Sequence, residues 1–248
     1  MFKIPRRRKI LAPSVAGLAV AATLLIPCAG VASAAGPGLA AGAAASSHSG
    51  PVKPGQNEKV IGLYTEMHDL WSDHMQWTYT TVDAFFHNQP ELHPALDRLL
   101  RNQRDIGAAI VPYYGQAAGD QLTALLTTHI EQAVPVLQAA QAGDQPALKK
   151  ALDDWYANAK DIADFLSDAN PKNWPRSVTE PMLSQHIDQT VVYATDLLKG
   201  RYTNAVKHFD KANDHMMMLA DVLARGIVAQ FPDKFCDEHN GHHGSRRP

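Results

Sequence analysis

Twelve histidines occur in the 248 residues, and four of them stand where helical spacing can gather them: His74, His129, His186 and His215. A neutral imidazole offers a lone pair that zinc, copper, iron and nickel all accept. Nearby carboxylates complete such a shell or orient the rings. Asp105 and Asp161 are expected to lie one turn beyond the level of these histidines, and Asn102 and Asn158 at that level. The set suits binding of a transition-metal ion (zinc, copper or iron), with His74, His129, His186 and His215 as ligands. Asn102, Asn158, Asp105 and Asp161 would be further ligands or acceptors behind them. A small organic ligand or haem is the other occupant such a layer could hold. Familiar spacing signatures are absent: there is no Glu-x-x-His pair, no His-Glu-x-x-His and no paired cysteines. Nor is there a nucleophile elbow, a phosphate-binding glycine loop or a Ser/Cys–His–Asp arrangement. No catalytic residue is assigned, and a non-enzymatic binding protein is expected.

Residues this far apart in sequence meet only if the elements between them fold back. Tyr64, Met67, Trp71, His74, Thr78, Thr81 and Phe85 recur at steps of three and four, which places them on one face of a helix. Leu122, Leu125, His129, Ala133 and Val136 do the same, as do Leu183, His186, Thr190, Tyr193 and Leu197. Helix stops fall between such segments, at 88–90, 112–115, 143–144, 170–171 and Gly200. No stretch alternates with the period of a strand. The spacing predicts an all-α, up-down bundle of six helices at 57–88, 92–111, 116–142, 145–169, 178–199 and 202–230. Pro135 falls inside the third and is expected to kink it.

An internal repeat organises these helices into three hairpins. Residues 129–166 align without a gap on 186–223, matching His129 with His186, Gln132 with Gln189, Gly143 with Gly200 and Asp164 with Asp221. The first hairpin follows the plan less completely, with Leu70 to Met75 parallel to Leu125 to Ile130. In an antiparallel hairpin, residues equally far from the turn lie side by side, because both helices climb about 1.5 Å per residue. His129 then faces Asn158, His186 faces His215 and His74 faces Asn102. A second reading of this layer stays open: a structural network of His and Asn that satisfies itself and fixes register. A third, an enzyme working through a metal-bound water as in hydrolysis, requires an open coordination position.

Other histidines and soft ligands read as packing or surface. Met216, Met217 and Met218 are consecutive, so on a helix they point in different directions and fill core gaps. Trp71, Trp77, Trp155 and Trp174 read as packing anchors. His68, His87 and His93 fall on polar positions, and His239, His242 and His243 belong to a flexible tail over 236–248.

The runs Leu99-Leu100-Arg101-Asn102-Gln103, Asp105-Ile106-Gly107, Pro112-Tyr113-Tyr114-Gly115, Leu122 to Leu126 and His129-Ile130 resemble a family of small, uncharacterised helical proteins from Gram-positive bacteria. Trp155, Asn158, Asp161-Ile162-Ala163, Asn170-Pro171, His186, Ala220-Asp221 and Gln230-Phe231-Pro232 extend the resemblance over the domain 57–235. It implies a helical bundle of bacterial origin and carries over no catalytic residues.

The N-terminus reads as an export address. Lys3, Arg6, Arg7, Arg8 and Lys9 precede an apolar run from Ile10 to Ile26, and Ala32-Ser33-Ala34 offers small residues for cleavage. The run is short for a membrane span and is interrupted by Pro13. Arg7-Arg8 is also compatible with twin-arginine export, and a lipid anchor at Cys28 is a further variant, with Pro27 where a small residue is expected. Residues 1–34 are thus expected to be a signal peptide, 35–56 an Ala/Gly/Ser/Pro-rich linker, and the protein secreted. The leader holds five of the 23 basic residues and none of the 25 acidic ones, so the mature chain is acidic. That balance argues against nucleic acid or an anionic membrane as partner. Cys236 alone would remain after cleavage, which leaves no internal disulfide to hold the fold.

Overall fold

The computed structural model describes residues 54–236. It contains six helices in chain order: α1 (Pro54–His87), α2 (Gln89–Tyr114), α3 (Gln116–Ala142), α4 (Gln145–Ala169), α5 (Arg176–Leu198) and α6 (Tyr202–Gln230). A short 3-10 turn, Pro232–Phe235, follows, and there is no strand among the described residues. The expected leader, most of the spacer, Cys28 and the tail histidines His239, His242 and His243 lie outside the described residues. Helix α1 starts at Pro54, inside the stretch read as linker. Among the described residues no helix is long and apolar enough to cross a membrane.

Local chemistry explains where most helices start and stop. Gly143 ends α3 with φ +71°, a left-handed conformation that glycine adopts without strain. Asp144 then caps α4, its side chain accepting from the Ala147 amide at 3.0 Å. Pro90 and Pro146 occupy the first turns of α2 and α4, where no amide donor is required. Helix α2 runs through Pro112 to Tyr114, past the expected stop. A proline withdraws one donor, and in the last turn one missing bond does not end a helix.

Each helix packs on the next and α6 returns to α1, so the six close into a ring; α5 also touches α1 and α3 across the interior. The interior stripes supply the core, among them Met67, Trp71 and Met75 on α1, Leu122 and Leu126 on α3, and Leu183 and Ile187 on α5. Each large apolar side chain buried there contributes about 1.5–3 kcal/mol. One end of the bundle is closed by the loop between α4 and α5. Asn170 donates to the Gly226 carbonyl at 2.9 Å, and the Trp174 indole N–H donates to the Val222 carbonyl at 3.1 Å. Gly226 has to lack a side chain, since a Cβ there would stand 1.9 Å from Trp174 Nε1.

Candidate functional site

Three bonds of one kind position the polar layer. Asn102 on α2 donates from Nδ2 to the Leu70 carbonyl at 2.9 Å. Asn158 on α4 donates to the Leu125 carbonyl at 3.1 Å. On α6, His215 donates from Nε2 to the Met182 carbonyl at 2.8 Å. Leu70, Leu125 and Met182 each precede a layer histidine (His74, His129 and His186) by one helical turn. Every returning helix is thus pinned to its leading helix one turn away from the histidine it faces. His215 makes the bond that the two asparagines make elsewhere, so its Nε2 is committed to backbone.

The leading helices bring His74, His129 and His186 together inside the ring. All are buried, at 2–3% exposure. The His74 and His186 rings stand 5.5 Å apart by centroid, and His129 stacks on His186 at 6.0 Å. Trp71 meets His74 edge-on at 5.6 Å, and Trp155 lies 5.2 Å from His129. His129 donates from Nδ1 to the Asn158 side-chain oxygen at 2.8 Å, which leaves Nε2 as the lone-pair nitrogen. Gln103, buried on α2, directs its two amide hydrogens to the Leu99 carbonyl at 2.8 Å and Asn102 Oδ1 at 3.2 Å, and the same nitrogen lies 3.4 Å from His74 Nδ1. His186 Nδ1 has no hydrogen-bond partner in the protein.

Burial sets the protonation state. Loss of water around the imidazolium, followed by repulsion from His129, brings His74 down to about 3. Desolvation likewise brings His129 to about 4. His186 falls well below its ordinary value, by desolvation first and then by repulsion from His74, His129 and His215. All three rings are therefore neutral at neutral pH, the form in which a nitrogen can ligate a metal.

Asp105 and Asp161 are not brought to this layer. The Asp105 carboxylate is 40% exposed and 3.9 Å from Arg101, and Asp161 is exposed. Three residues beyond Asn102 or Asn158 is about 300° around a helix, which turns the carboxylate off the inner stripe; Ile106 and Ile162, four residues beyond, are the ones that point in. Met216 is core, whereas Met218 is 54% exposed. Gln103, Gln132 and Gln189 were not singled out from sequence as site residues, yet each holds a buried, unpartnered Oε1. Gln132 and Gln189 were visible as a matched pair in the repeat; Gln103 has no counterpart, so nothing in the pattern marked it.

Among the described residues no group of three or more His, Cys, Asp or Glu side chains is placed to hold a metal ion as it stands. The His74–His186 separation of 5.5 Å is nevertheless close to what shared coordination requires, and the 6.0 Å between His129 and His186 is longer. Two imidazoles on one ion, with metal–nitrogen bonds of about 2.0–2.1 Å, have centroids roughly 5–5.5 Å apart. No family model, curated protein or solved structure compared with this chain matches it.

Proposed function

We propose that the protein is an exported, non-enzymatic binding protein whose histidine layer takes up a transition-metal ion between His74, His129 and His186. The observation that carries this reading is the meeting of three neutral imidazoles, one of which, His186, has a buried nitrogen without a partner. An unpartnered buried polar atom costs about 1–3 kcal/mol, a cost that a bound ion removes. Asn158 also does for His129 what outer-layer groups do in metal sites: it fixes which nitrogen carries the proton. With no carboxylate in the layer, nothing offsets the charge of the ion, so a singly charged copper(I) costs less to bury than zinc(II). His215 spends Nε2 on the Met182 carbonyl, which leaves Nδ1 as its lone-pair nitrogen and makes it a fourth candidate ligand.

Metal content settles the matter. Protein purified without a polyhistidine tag, incubated with copper(I) or zinc(II) and desalted, is expected to retain one ion per chain. A His129→Ala, His186→Ala double variant should retain none. Equal retention by both proteins, or none by either, rejects the assignment. The three repeated carbonyl bonds favour a second reading, a purely structural layer that fixes helix register. That reading holds if no metal is retained and a chelator leaves the melting temperature unchanged.

A further inference from the structure

The bundle interior next to the histidine layer contains a void of about 20 Å3. Its walls come from all six helices, and no polar surface faces it. Trp71, Leu126 and Leu183 line it, and each precedes a layer histidine (His74, His129 and His186) by three residues, one turn along its helix. The void therefore lies about one helical turn from the imidazole layer, with Trp71, Leu126 and Leu183 between them. Its far end is walled by Tyr114 and Trp174. The indole N–H of Trp174 is spent on the Val222 carbonyl, so that residue presents only ring carbon.

Size and lining together select the occupant. About 10–15 Å3 of this kind of volume admits one water, but a buried water needs two to four polar partners, and this wall provides none. An uncharged, apolar molecule loses no hydrogen bonds on entering and gains dispersion contacts with the aliphatic and aromatic walls. We propose that the void is a binding site for a small apolar molecule of diatomic-gas size, held one turn from the histidine layer. The site stands on the void alone and does not require a metal in the layer.

Xenon is the probe, applied to chelator-treated protein so that the outcome is independent of metal binding. Methyl chemical shifts followed against xenon pressure should move saturably at Met67, Leu126, Leu183 and Leu223, while the exposed methyls of Ile61 and Val206 drift slightly and linearly. Leu126→Phe fills the void and should abolish the saturable response; Leu223→Phe does so from α6 should the first variant fail to fold. Leu126→Met conserves volume and should keep the response. Shifts that are linear at every methyl, or a saturable response that survives both filling variants, overturn the proposal.

Discussion

A buried imidazole has two nitrogens to satisfy, and the layer treats them unequally. His129 spends Nδ1 on Asn158, His215 spends Nε2 on a carbonyl, and His186 leaves Nδ1 unpaired. The hairpin register pointed to all four histidines and to both asparagines, because level follows from distance to the turn. Which nitrogen faces which neighbour follows from ring rotation, and sequence carries no signal for that. The part played by His215 as a third amide-like donor therefore emerged only from the structure. It leads to an isosteric test. His215→Asn keeps a donor toward the Met182 carbonyl and should fold much as the parent does. His215→Asp has the same shape but, at pH 8, sets a carboxylate oxygen against that carbonyl in a buried position. The Asp variant should be less stable than the Asn variant by at least about 2 kcal/mol in urea unfolding. Equal stability would mean that the bond to Met182 does not matter.

At the scale of elements, the helical periods were legible and the helix ends less so. Steps of three and four set the inner stripes, and glycines with positive φ at 115, 143 and 200 ended or joined helices where the stops were expected. Prolines were the weaker guide, since Pro94, Pro112, Pro135 and Pro181 all lie inside helices. What sequence could not show was how closely two helices approach. Helices α2 and α3 cross at Gly107 and Gly119: a Cβ on Gly107 would stand 2.6 Å from the Gly119 carbonyl oxygen and 2.0 Å from Thr123 Oγ1. That contact depends on residues of two helices at once, and no period within either helix encodes it. Gly107→Ala must push α2 and α3 apart and should cost about 1–3 kcal/mol. Gly62→Ala, on the exposed face of α1 with nothing within 4 Å, should instead stabilise the protein by about 0.5–1 kcal/mol. Calorimetry on the two variants reads the contrast directly; matching shifts of the same sign would show that the crossing can relax.

For the whole molecule, three imidazoles held neutral inside one ring of helices tie folding to pH. The unfolded chain protonates each near its ordinary 6.5, whereas the folded protein resists until about 3 at His74, about 4 at His129 and well below 6.5 at His186. Above pH 6.5 both states hold the rings neutral, and the layer contributes no pH dependence. Below it the unfolded state binds the extra protons, so stability falls as pH falls, down to the folded values. Each histidine contributes about 1.4 kcal/mol per pH unit, and the three together roughly 4 kcal/mol per unit. Against a total stability of about 5–10 kcal/mol, the lower part of the usual range for a domain, that slope unfolds the bundle between about pH 5 and pH 4. Asp196 acts in a different window. Although its carboxyl is buried, bonds to His208 and Arg201 hold it below its ordinary 3.8, so its contribution is present above that value and disappears only in stronger acid. Urea titrations at half-unit steps from pH 7 to pH 4.5 should give a flat region followed by the steep fall. In His186→Gln the slope should drop by about a third and the acid midpoint move lower. An unchanged slope in that variant would show that the layer takes up its protons in the folded state, and that water reaches histidines the structure encloses.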